Sequence, residues 1–233
     1  MKLSIHREPV LLPGGRPVDP RRLYLTLSML GGFLTAFALG VYALYVVRDA
    51  ALTPLQLVLA GTALEASAFV FEIPTGVVAD AYSRRLSLVV GYVVFGLGIV
   101  IMGAVPTFAV IAGGQVVWGL GFTFLSGARE AWIADEIGEA EAAPVYLRAA
   151  QLRQVGLFLG TPLGFGLGFA SLQLPFLVGG AAFMLVAVLV ALTMTEAGYS
   201  PAPAADRGTW RSMVGTLDEG TRAIRGRGAL GNR

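Results

Sequence analysis

The chain has 233 residues, 55% of them hydrophobic and 14% charged, against about 25% charged in an ordinary soluble domain. It contains no cysteine, which excludes disulfides, thiolate nucleophiles and cysteine metal sites. Its one histidine, His6 in the N-terminal tail, leaves no pair for a zinc site and no imidazole base within the membrane. A mean hydropathy of +0.71 points to a lipid bilayer as the surrounding medium, while the net charge of +2 is small and says nothing about nucleic acid; no nucleic-acid partner, cofactor or metal is expected.

Residues 1–22 form a polar, proline-containing segment with no apolar period, expected to be a disordered or loosely surface-bound cytoplasmic tail. Six apolar stretches follow, at Leu23–Val47, Leu55–Ala79, Leu86–Val105, Phe108–Gly127, Val155–Ser171 and Leu174–Met194. Each is read as a helix crossing about 30 Å of hydrocarbon. The fifth is the shortest and is expected to begin lower, near Leu147, with its helix running on into the cytoplasmic edge. The first is too long for a signal-peptide core and no small-residue cleavage pattern follows it. Backbone groups in lipid must be satisfied within a helix or a closed barrel. Barrel strands would show about ten residues of alternating polarity, whereas these stretches are longer and apolar on all sides. The predicted fold is therefore an all-α integral membrane bundle of six transmembrane helices over residues 23–194.

Breaks fall at Arg48-Asp49, Thr53-Pro54, Pro106-Thr107 and Ser171-Leu172-Gln173. With the N-terminus placed inside, 16 of the 17 Lys and Arg residues fall in inside segments and only Arg48 falls outside. That bias predicts two cytoplasmic termini and an even number of spans, in a cell inner (plasma) membrane. Residues 195–233 turn polar again. Trp210, Met213, Val214, Leu217 and Ile224 recur there at helical spacing, read as a short amphipathic helix on the cytoplasmic surface. The alternative is a disordered tail.

Between the second and third spans the sequence reads Phe71-Glu72-Ile73-Pro74-Thr75-Gly76-Val77-Val78-Ala79-Asp80-Ala81-Tyr82-Ser83-Arg84-Arg85-Leu86. It joins two antiparallel helices by a very short turn. Gly76 offers room for a neighbour, and Asp80 and the Arg84-Arg85 pair set opposite charges at the membrane edge. This stretch resembles the signature loop of the major facilitator superfamily, with Gly76, Asp80, Arg84 and Arg85 on its characteristic positions and Leu88 on its trailing apolar one. Ala81 stands where the family usually has Lys or Arg, and Ser83 where it usually has Gly. The Glu72-to-Thr75 context is most similar to drug-efflux members. The resemblance implies the N-terminal six-helix half of a major facilitator fold, with an absent second six-helix bundle as its partner and residues 195–233 as the start of the linker. Gln115 stands where many efflux members carry Arg, and Gly160-Thr161-Pro162-Leu163-Gly164 resembles the antiporter motif in altered order.

Two carboxylates, Glu65 and Glu72, lie inside the second span on one stripe with Phe69, Gly76 and Asp80. Ionisable groups at that depth are costly in lipid and are expected to face protein or water. Glu65 is read as a proton carrier or a contact to a cationic substrate. Glu72 is read foremost as a structural tie between the second span and a neighbouring helix, with proton or substrate coupling as the other role. Glu130, Asp135, Glu136, Glu139 and Glu141 follow the fourth span as a loop on the same side as Arg84 and Arg85. Ion pairs between the two groups would close an inner gate, as the resemblance implies; the alternative is a solvated acidic edge. Phe33, Phe37, Tyr42, Gln115, Trp118 and Phe122 are candidates for lining a substrate cavity, again on the resemblance. Gly156, Gly160, Gly164 and Gly168 make a smooth stripe on the fifth span. It is expected to meet the second bundle, with packing inside this bundle as the alternative.

An intramembrane protease would need a histidine beside a serine such as Ser126, and the doubled Asn-Pro-Ala of water channels is absent, so neither an enzyme nor a channel is expected. The expected function is secondary active transport of a small molecule by alternating access, in the form of proton-coupled efflux, the chain being a truncated or partial transporter. The alternative is a transporter-derived membrane protein with a regulatory or interaction role.

Overall fold

The computed structural model describes residues 18–199. The readings made for the N-terminal tail before Val18 and for residues 200–233, the amphipathic helix included, lie outside the described residues, as do the side chains of Asp80 and Ala81. Among the described residues there are eight helices and no strand. They are α1 (Pro20–Leu39), α2 (Tyr42–Arg48), α3 (Pro54–Ala81), α4 (Arg84–Ala104), α5 (Phe108–Leu125), α6 (Ala128–Ile137), α7 (Glu139–Gly168) and α8 (Leu174–Thr193).

Local chemistry sets most of these boundaries. Asp19 caps α1, accepting from the Arg21 amide at 3.0 Å. The first predicted span breaks at Gly40-Val41 into α1 and α2, at a residue that is poor in a helix interior. Thr53 and Gln56 form a reciprocal capping box at the start of α3, with Pro54 at the first turn. The helix continues through Pro74 to Ala81.

Two expectations are corrected. The acidic stretch after the fourth span is not a loop: it is α6 and the first turn of α7. Gly127 and Gly138, with φ of 74° and 83°, turn the chain into and out of α6. The helix that carries the fifth stretch runs back beyond Leu147 to Glu139, further than the expected start, and ends at Gly168. Among the described residues, five segments are long and apolar enough to cross a membrane: Pro20–Arg48, Pro54–Ala79, Arg84–Ala104, Phe108–Ile137 and Leu174–Thr193. The 30-residue α7 is long enough but not apolar enough, because Gln151, Arg153, Gln154 and its glycines dilute the window.

The helices pack in the neighbour order α3, α5, α4, α8, α1, α7. The central α4 span is 56% buried, whereas α3, at one end of the row, is only 11% buried. The core is apolar and aromatic. Tyr45 and Phe176 are fully buried with ring centroids 4.9 Å apart, and the Tyr45 hydroxyl donates to the Met102 carbonyl at 3.1 Å.

At the other end of the row, the glycine stripe packs on α1, not on a second bundle. A methyl at Gly156, Gly160 or Gly164 would lie 2.2 Å from the carbonyl oxygens of Met29, Phe33 and Phe37 respectively. Only bare Cα atoms allow backbones so close, and Cα–H to carbonyl contacts then replace side-chain packing. Gly160→Val is therefore expected to cost about 1–3 kcal/mol by overpacking, lowering the apparent Tm in detergent. Gly166→Ala, where a methyl meets open space, serves as the control and should leave Tm unchanged or slightly raised.

Candidate functional site

The signature turn is built from the end of α3, Tyr82, Ser83 and the start of α4. Ser83 is the N-cap of α4: its hydroxyl accepts from the Leu86 amide at 2.9 Å. That capping fixes where the two arginines emerge. Arg84 Nε lies 3.5 Å from Asp135 Oδ2 on α6, with side chains 16% and 33% exposed. The Arg84 guanidinium also stands over the Tyr199 ring, 5.8 Å from its centroid. Arg85 turns the other way and donates to the Ala191 carbonyl at the end of α8. The structure thus brings Arg84, and not Arg85, to the acidic segment.

The other acids are used separately. Glu136 accepts from the Thr195 hydroxyl at 3.4 Å and the Gly198 amide at 3.0 Å. Glu141 pairs with Arg21. Glu130 accepts from Arg129 at 3.1 Å and from the Tyr24 hydroxyl at 3.3 Å, while Arg129 stands over the Tyr24 ring at 5.6 Å. Tyr146 donates to the Glu130 carbonyl at 2.9 Å.

Two readings of the α3 stripe change. Among the described residues none approaches Gly76; a methyl there would meet open space. Glu72 is exposed, and among the described residues no hydrogen bond ties it to a neighbouring helix. Glu65 is exposed as well, and Phe69 between them is 81% exposed. The cause is the place of α3 at the end of the helix row: α5 covers one side and the acidic stripe is left bare. The Asp80 side chain lies outside the described residues.

The cavity candidates do not act as one set. Tyr42 and Gln115 are brought together: Gln115, 4% exposed, donates from Nε2 to the Tyr42 hydroxyl at 2.9 Å. Phe33 and Phe37 stack on each other, centroids 6.1 Å apart, along the α1 edge that carries the α7 glycines. Trp118 packs edge-on against Phe95 of α4 at 5.6 Å, and Phe122 is exposed.

Sequence reasoning missed Glu196 and Trp132. Glu196 accepts from the Ser83 hydroxyl and the Arg85 amide, more than a hundred positions away in the chain. The fully buried Trp132 donates from Nε1 to the Thr195 carbonyl at 2.7 Å. Trp132→Phe leaves that carbonyl unpaired and a void beside it, so a loss of about 1–3 kcal/mol is expected, checked by thermal unfolding in detergent.

Residues 24–230 match the family model described as Major Facilitator Superfamily. The chain is 26% identical over 132 residues to an uncharacterized MFS-type transporter, YxaM, of Bacillus subtilis (strain 168), covering 57% of this chain and 33% of the relative. It is 26% identical over 195 residues to probable polyol transporter 6 of Arabidopsis thaliana, covering 83% of this chain and 38% of that protein. The chain spans about a third of the length of these curated relatives. With an all-helical fold, five apolar membrane-length segments and a family match over 24–230, the chain belongs to the Major Facilitator Superfamily of multi-pass membrane transporters.

Proposed function

We propose that this chain supplies one bundle of a secondary active transporter working by alternating access, coupled to protons and directed outward, in a plasma membrane with both termini cytoplasmic. The observation that carries the reading is the pair of carboxylates on the bare face of α3: Glu65 and Glu72 are both exposed on the least covered helix. Carboxylates within a membrane-spanning helix do not face hydrocarbon. In this reading the stripe faces a water-filled path shared with a second six-helix bundle, and Glu65 takes up and releases the proton while Glu72 stands nearer the cytoplasmic mouth. Exchange between the two faces follows a rocking motion of one bundle on the other. The ion pair of Arg84 with Asp135 braces the α3–α4 turn against α6 at the cytoplasmic edge, and breaking it biases the two states.

The test uses the native gene in its source cells, loaded with ethidium, a small amphipathic cation. Deletion is expected to slow dye exit, and Glu65→Gln to reproduce the deletion and flatten the pH dependence of exit. Dye exit indifferent to both changes at every pH overturns proton-coupled efflux.

For the turn, Arg84→Glu is expected to slow exit by about tenfold, equivalent to about 1.4 kcal/mol in the balance of states. Asp135→Arg in the same chain is expected to restore part of the rate. Failure of every acid-to-Arg change in α6 to rescue counts against a gating pair.

A second reading, transport of a small neutral polyhydroxylated compound, draws on the likeness to the probable polyol transporter and on the uncharged Tyr42–Gln115 pair. Uptake of labelled sorbitol that depends on the gene, with ethidium exit unchanged, would favour it.

A further inference from the structure

We propose that Glu196 is a clasp, joining the segment that leaves α8 to the signature turn so that the two move as one unit. The first amides of α4 have no acceptor within the helix. Ser83 Oγ satisfies one of them, at Leu86. The Glu196 carboxylate satisfies another, accepting from the Arg85 amide at 2.8 Å. The same carboxylate accepts from the Ser83 hydroxyl, with Oε2 at 2.8 Å and Oε1 at 3.0 Å. A negative group at a helix N-terminus gains from the aligned peptide dipoles as well as from these charge-assisted bonds.

Ser83 makes this possible. Its φ of −173° is extended backbone, which any residue adopts, so glycine is not required for the geometry of the turn. In place of glycine the chain carries a hydroxyl that caps α4 with its lone pair and holds Glu196 with its proton.

The strap around Glu196 is fastened on both sides. Thr195 offers its carbonyl to the Trp132 indole and its hydroxyl to Glu136. The Gly198 amide donates to Glu136 at 3.0 Å, and Tyr199 donates to the Ala79 carbonyl at 3.4 Å. Gly198 lies so close to α6 that a methyl there would sit 1.9 Å from the Asp135 carbonyl oxygen. Residues 195–199 therefore cross directly over Asp135, the acid that pairs with Arg84, while Tyr199 lies beneath the Arg84 guanidinium. The strap touches the ends of α3, α4 and α6 at once. A pull on the chain beyond Tyr199 reaches the turn through Glu196, and displacement of the turn reaches the strap the same way.

The consequence for transport rests on reading the α3–α4 turn as part of a gate, but the clasp itself is tested without substrate. Hydrogen exchange is followed by mass spectrometry on the chain in nanodiscs, using peptides that cover 82–88 and 194–199. Glu196→Gln keeps the shape and removes the charge, and is expected to speed exchange about tenfold or more in both peptides. Ser83→Ala is expected to act in the same direction. The double variant should fall short of the product of the two single effects, because the Ser83–Glu196 bond is lost in both. Unchanged protection in Glu196→Gln, a change confined to 194–199, or additive effects in the double variant would each overturn the clasp. An intact clasp with ethidium exit indifferent to Arg84→Glu would instead overturn the gate and leave the clasp standing.

Discussion

A carboxylate in a membrane-spanning helix needs water or protein around it, and this requirement governs how the whole bundle is to be understood. Glu65 and Glu72 stand on α3, the helix at the end of the packing row and the one with the least coverage from the rest of the chain. Several polar groups inside the bundle find partners locally. Gln115 finds Tyr42, Ser67 donates to the Val116 carbonyl, and Ser87 donates to the Phe124 carbonyl. Among the described residues the two glutamates have no such arrangement, and in the proposed function theirs is the face that meets the second bundle.

The opposite end of the row is organised by a different force. Lipid tails are as apolar as leucine, so hydrophobicity alone does not bring membrane helices together. Between α1 and α7 the attraction comes from backbone contact, which three glycines four residues apart allow. That contact holds α7 although its own sequence is too polar, by length and composition, to count among the membrane-length apolar segments. The bundle thus has one tightly joined edge and one sparsely covered edge.

At the end of the bundle that carries the α3–α4 turn, charge and hydrogen bonding replace packing. The turn between α3 and α4 is held by Arg84 to α6, by Arg85 to the end of α8 and by Ser83 to Glu196. These contacts reach three different elements from three consecutive positions. A partly exposed ion pair is weak alone, but three directional contacts on one short turn leave it little freedom to move independently of α6 and the α8 exit.

Much was legible in the residues alone. Apolar stretches of membrane length, the one-sided distribution of Arg and the Gly76-to-Arg85 pattern led to a membrane-helix bundle and to the family, because lipid forces a backbone to satisfy itself and so makes length and polarity sufficient to place helices. The helical nature of residues 128–137 was hidden because that segment is mostly polar, so no apolar run marked it. The destination of the glycine stripe was hidden for another reason: spacing shows that a face is smooth but not which neighbour lies against it. The same limit explains Glu72, Gly76 and Glu196. Whether a side chain is covered, approached or clasped depends on which helices the fold sets side by side, and contacts between residues a hundred positions apart leave no periodic trace in the chain. Helix identity was a property of the sequence against its solvent; coverage and partnership were decided only when the helices packed.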